Sequence, residues 1–240
     1  MGLPVSLERL LGGERLALLR EFALMPRNLT ELVPDASAGD HVVVLVHGFL
    51  ASAGVFRPLR ARLERETGAR VASFTHAPGV RIARIAQRLG ALVDRLPRTA
   101  RVTVVGHSIG GLAARWYVQE LGGHTRVART ISLASPFGGI DDVPQLLIGA
   151  DLHTQSAVLE RIRRRAHVHG VPHTSIVGAE DTLVEGVETA CLGFGDVVVL
   201  PERGHNGLLF CDRAAALVID RVRTALQTSR TPETLSSAPV

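Results

Sequence analysis

Two patterns of apolar residues alternate along this chain: short unbroken runs, and longer stretches with one apolar face. The run His41-Val42-Val43-Val44-Leu45-Val46 is apolar on both faces of a pleat, as expected of a strand at the centre of a parallel sheet. Similar runs predict strands over 71–74, 102–105, 127–133, 174–177 and 197–200. Helical periodicity between them predicts helices over about 55–67, 80–96 and 112–118, with a final one over about 206–226. Ahead of the first strand, Ser6 can cap a helix running to about Ala23, with Leu7, Leu10, Leu11, Leu18 and Phe22 roughly on one face. A connector rich in turn formers, 26–40, links it to the sheet. This alternation predicts an α/β fold, a doubly wound and mostly parallel sheet with crossover helices.

The pattern loosens over 135–171, which holds the apolar piece Val143-Pro144-Gln145-Leu146-Leu147-Ile148 and then an arginine-rich run, 161–165, expected on one solvated helix. Residues 227–240 are rich in Ser, Thr and Pro and read as a flexible tail. The expectation is one domain over 1–226, with a short lid-like insertion at about 140–169, followed by that tail. At 240 residues and 46% hydrophobic content the chain can bury one sizeable core.

Charge changes the picture mainly by exclusion. Lys and Arg total 27 against 23 acidic residues, for a net charge of +4, and every one of the 27 is arginine. Without lysine there is no Schiff-base chemistry and no phosphate-binding Walker lysine. The arginines are scattered and no recognition motif accompanies them, so no nucleic-acid partner is expected. Transient contact with an anionic lipid surface stays open. No secretory signal precedes the domain and no apolar stretch reaches membrane-span length, so the expected location is cytoplasmic. Cys191 and Cys211 flank the segment holding His205; two cysteines make no disulfide framework, and a single bridge stays open.

The candidate chemistry centres on Gly106-His107-Ser108-Ile109-Gly110, directly behind the run 102–105 and ahead of a helical pattern. A serine between two glycines at a strand-to-helix turn reads as a nucleophile elbow, in which a tight turn pushes the hydroxyl clear of the sheet edge. Serine needs a base, and the base needs an orienting group. Of ten histidines, His205 is best placed, just past the last strand, at the carboxyl edge where ligand sites form. Asp181, on the loop leaving the penultimate strand, is the expected acid, with Glu180 the runner-up. Asp196 opens the next strand and belongs at the opposite edge. The backbone N–H groups of Ile109 and Phe49 are the expected oxyanion donors. His47 reads as ordering its loop through hydrogen bonds, and His107 as packing or hydrogen bonding near the neighbouring strand. His167, His169 and His173 lack a completing ligand, so no metal is expected. Leu50, Val143, Leu146, Leu147 and Ile148 could line an acyl groove with Phe49, or the 143–148 piece could be ordinary core helix.

At these residues the chain resembles the α/β-hydrolase superfamily, in its bacterial lipase and carboxylesterase branch. The resemblance rests on Val44-Leu45-Val46-His47-Gly48-Phe49-Leu50, on Val104-Val105-Gly106-His107-Ser108-Ile109-Gly110-Gly111 and on Leu133-Ala134-Ser135-Pro136-Phe137-Gly138-Gly139. It implies hydrolysis of carboxylic esters with no cofactor, and an oxyanion hole from Phe49 and Ile109. With one helix before the first strand, a reduced core lacking the family's outermost strands is expected. The expected substrate is a small-molecule or lipid ester, with no stable protein partner. An acyltransferase or thioesterase using the same residues, and a non-catalytic binding module, remain as alternatives.

Overall fold

The computed structural model describes residues 13–37, 40–141 and 150–227. Six strands, all parallel, form one sheet: β1 (His41–Val46), β2 (Arg70–Phe74), β3 (Arg101–His107), β4 (Val127–Leu133), β5 (His173–Gly178) and β6 (Asp196–Leu200). Their order is β2-β1-β3-β4-β5-β6. The chain runs from β1 to one edge and then returns to the other side of β1, so the direction of winding reverses between β1 and β3. A crevice opens at such a switch point, at the carboxyl ends of the strands. The register pairs Val46 with Gly106 and so brings the loop after β1 beside the turn after β3.

Side-chain alternation divides the core in two. Val42, Val44 and Val46 pack with α3 (Ile82–Asp94) and α4 (Ile109–Glu120), through Ile85, Leu89 and Leu112. Val43 and Leu45 face the opposite layer, where α2 (Arg57–Thr67) and α6 (Asp212–Gln227) contribute Leu59, Leu63, Val218 and Val222. Both faces of β1 are therefore dry, which explains its unbroken apolar run. On β6, by contrast, Val197 and Val199 are exposed, because this strand closes the sheet edge. The arginine-rich segment forms α5 (Ala157–Arg164), whose Leu159 and Ile162 are buried in the α3–α4 layer. Arg161 and Arg164 pair with the carboxylates of Glu120 and Glu160, Arg165 just past the helix pairs with Glu120, and Arg163 donates to Phe137 O at 2.7 Å.

Before the sheet lies α1 (Gly13–Leu24). Sequence periodicity puts Leu18 and Phe22 on its buried face; instead its buried residues are Leu16, Ala17 and Glu21, while Leu18 and Phe22 are exposed. Cys191 and Cys211 are free thiols, and Cys211 is buried in the α2–α6 layer. Among the described residues no helix is long and apolar enough to cross a membrane.

The turn after β3 leaves no room for side chains. A Cβ on Gly110 would lie 2.1 Å from the Val46 carbonyl oxygen, and one on Gly106 would lie 2.2 Å from the Gly111 nitrogen. Both obstacles are backbone in the sheet or the first turn of α4 and cannot swing aside. Gly110→Ala is expected to cost on the order of 3 kcal/mol of stability through overpacking. An unchanged midpoint in urea denaturation would refute this.

Candidate active site

Ser108 is the residue at which β3 becomes α4. Its φ of 52° and ψ of −124° lie in a region that L-residues rarely occupy, a strain of order 1–3 kcal/mol sustained only by the surrounding structure. Three hydrogen bonds hold it. The Ser108 N–H donates to Leu133 O at 2.9 Å, and Ser108 O accepts from the Gly111 N–H at 3.1 Å and from the Ser135 hydroxyl at 2.7 Å. The Ser135-Pro136 motif thus braces the elbow carbonyl. Ile109 begins α4, directly after the serine.

The loops after β5 and β6 bring Asp181 and His205 together. His205 Nδ1 lies 2.9 Å from Asp181 Oδ2, with the two side chains 8% and 1% exposed. The other carboxylate oxygen, Oδ1, accepts from the backbone N–H groups of Leu183 (2.9 Å) and Val184 (2.8 Å). A buried carboxylate held on both oxygens cannot rotate, so it fixes the imidazole plane and keeps the Nδ1 proton in place. Glu180 is exposed, and Asp196 sits at the amino end of β6. The structure contains the Asp181–His205 bond but no direct Ser108–His205 bond; the serine and the imidazole share the wall of one cavity of about 200 Å³.

Phe49 and Leu50 line that cavity, and Val143, Leu146, Leu147 and Ile148 lie outside the described residues. The opposite wall comes from α1, through Leu18, Glu21 and Phe22, rather than from any described residue of 140–169. Sequence reasoning missed this wall. It also missed Glu14 on the same helix, whose carboxylate accepts from the backbone N–H groups of Asn206 (2.6 Å) and Gly207 (3.0 Å). That contact needs a glycine: a Cβ on Gly204 would lie 2.4 Å from Glu14 Oε2. The only signal in the sequence was an acidic residue in the first turn of a helix, which is also what any helix N-terminus favours. Glu14→Ala removes two charge-assisted hydrogen bonds beside His205 and is expected to destabilise the protein by about 2 kcal/mol. Urea denaturation checks it, and a loss below a few tenths of a kcal/mol would contradict it.

Two neighbouring histidines support the site. Burial and the stacked His76 ring, 3.9 Å away, push the pKa of His47 down to about 3, so it is neutral. Its Nε2 accepts from the His76 N–H (3.0 Å), which leaves the proton on Nδ1 to donate to Gly48 O (2.7 Å). His47 therefore orders the loop that carries Phe49. His107 packs between Gly48, just past the neighbouring β1, and His205: a Cβ on Gly48 would lie 2.8 Å from its Nδ1, its Nε2 is 3.2 Å from His205 O, and the two imidazole centroids are 4.9 Å apart. Burial holds its pKa near about 3.

The remaining histidines do not assemble. His173 is buried with Thr130, Ser132 and Ser175, while His169 stacks on His124. Among the described residues no three His, Cys, Asp or Glu side chains gather as metal ligands.

A search of curated proteins finds no match. Among solved structures, the chain is similar to Aspergillus fumigatus lipase B, at 18% identity and a TM-score of 0.66 over 80% of this chain; it spans only 56% of that lipase. It is similar to Bacillus licheniformis lipase BlEst2 in mature form, at 15% identity and a TM-score of 0.60 over 81% of this chain and 95% of that one. A third likeness is to EstE1, a thermostable carboxylesterase cloned from a metagenomic library, at 15% identity and a TM-score of 0.57 over 96% and 99% of the two chains. At these identities the likeness is one of fold. The model of the palmitoyl protein thioesterase family matches residues 42–180, more than half of the chain, from β1 to the residue before Asp181. With that match running through the sheet and the elbow, the chain belongs to the palmitoyl protein thioesterase family of α/β-hydrolases.

Proposed function

We propose that the protein is a serine hydrolase that cleaves carboxylic esters of acyl groups, with Ser108 as nucleophile, His205 as general base and acid, and Asp181 as the orienting carboxylate. The observation that carries this reading is the buried Asp181–His205 pair opening into the same cavity as a serine held at an elbow with positive φ. Hydrogen bonds of this kind commonly tighten only in the substrate complex, so the missing Ser108–His205 bond does not count against it.

In the first step Ser108 Oγ bonds to the acyl carbon while its proton passes to His205 Nε2. The tetrahedral oxyanion accepts hydrogen bonds from the backbone amides of Phe49 and Ile109. The carbon–oxygen bond to the leaving group then breaks, and the His205 proton goes to the departing alkoxide. Water, deprotonated by the same nitrogen, releases the acid and restores Ser108. Asp181 stabilises the transient imidazolium throughout.

The family match favours a second reading, in which the leaving group is a thiol and the substrate an acyl thioester. The chemistry differs only at the departing atom, since a thiolate needs less help from the His205 proton. A fluorophosphonate probe tests both readings, with covalent labelling of Ser108 as the expected result. Rates on matched p-nitrophenyl esters and acyl thioesters of the same chain length then separate them. Absence of labelling, or labelling that survives Ser108→Ala, would remove the nucleophile assignment.

A further inference from the structure

The cavity beside Ser108 and His205 is lined mostly by apolar side chains, among them Leu18, Phe22, Met25, Phe49, Leu50 and Leu183, and holds one acidic side chain. Glu21 reaches it from α1, between Leu18 and Phe22, and is only 8% exposed. Among the described residues its carboxyl makes no side-chain hydrogen bond or ion pair. Glu14, two helical turns earlier on the same face, is committed to Asn206 and Gly207. Arg20, next to Glu21, lies over the Phe210 ring at 6.0 Å. Glu21 is thus an acid in a greasy wall, with no partner to neutralise it.

We infer that Glu21 is a specificity-determining residue of the acyl site: an apolar chain fills the cavity only while the Glu21 carboxyl is protonated, so chain binding takes up a proton. This rests on the reading that the Ser108 cavity receives the acyl group. The physical ground is desolvation. An acyl chain displaces the water that the carboxyl still touches, and an unpaired charge sealed against methylenes is far costlier than a neutral acid in the same place.

Burial and Glu14 act in the same direction. Burial is the largest influence on Glu21 and raises its pKa from 4.5 to about 7. The nearby Glu14 carboxylate raises it further, while His205 across the cavity opposes. His107, also in the wall, is held neutral by burial. Burial outweighs the imidazole, so the carboxyl changes charge near neutrality. Below that range the Glu21 carboxyl is neutral and admits long acyl chains; above it the carboxyl is charged and rejects them, while short chains that leave water around Glu21 are spared.

Two measurements test this. In the first, kcat/KM is determined for octanoyl and acetyl p-nitrophenyl esters between pH 6 and 8.5. A pH effect on the chemical step common to both esters cancels in their ratio. The octanoyl-to-acetyl ratio is expected to fall about tenfold or more across the range, since apparent affinity scales with the competent fraction. In Glu21→Gln, which keeps the size and removes the ionisation, it is expected to be flat. In the second, calorimetry follows octan-1-ol binding to the Ser108→Ala protein, which needs no turnover. Affinity is expected to weaken in parallel at high pH, with proton uptake on binding. A pH-independent ratio and affinity in protein carrying Glu21 would overturn the inference, as would an unchanged pH dependence after Glu21→Gln. Failure to hydrolyse either ester, with pH-linked octanol binding intact, would instead sink the hydrolase reading and leave the role of Glu21 standing.

Discussion

Ser108→Ala is expected to lower kcat for ester hydrolysis by about 10⁶-fold, because removal of the proposed nucleophile abolishes the acyl-enzyme route and leaves only the contribution of binding and the oxyanion donors. Stability is expected to stay nearly constant. Alanine keeps the Cβ, so the backbone strain at φ 52° is unchanged, and the hydrogen bonds that hold the elbow run through backbone atoms of residue 108. A folded and inactive protein separates catalysis from structure. His205→Ala should fall to a similar floor, and the double variant Ser108→Ala/His205→Ala should be no worse than either single one, since groups acting as a unit are not additive. Steady-state kinetics beside thermal unfolding checks all three. Residual hydrolysis within tenfold of the parent would rule out Ser108 as the nucleophile.

Asp181→Asn should lower kcat by about 10⁴-fold. The reason lies in how the carboxylate is held. Oδ1 accepts from the N–H groups of Leu183 and Val184, so an asparagine must keep its oxygen there and turn its amide NH₂ toward His205 Nδ1. Two donors then face one another unless the imidazole moves its proton to Nε2, the nitrogen that has to receive the proton of Ser108. The variant is expected to fold and still to react slowly with a phosphonate probe, with both rates depressed together. A loss of tenfold or less would mean that Asp181 does not orient the base.

Much of this arrangement is legible before any coordinates. The strand over 41–46 and that over 127–133 have the boundaries that the pattern suggests; every residue of the first is buried, and the second is buried at both ends, at Val127 and Leu133. The elbow announces itself through glycines whose absent side chains make room for the sheet and the first turn of α4. Loops after the fifth and sixth strands are natural places to look for an acid and a base, since in a wound parallel sheet the carboxyl ends share one edge.

The N-terminal helix escapes the same reasoning. Its charged residues look solvated and its leucines look buried, yet Glu21 is buried while Leu19 and Phe22 are exposed. Periodicity identifies a helix but not the surface it meets, and here that surface is formed by residues about 190 positions away, where Glu14 bonds to Asn206 and Gly207. Strand positions and the elbow follow from local rules of burial and sterics, which each segment carries within itself. The wall of the cavity, the partner of Glu14 and the isolation of Glu21 come from contacts between distant segments, whose energies exist only once the sheet has brought them together.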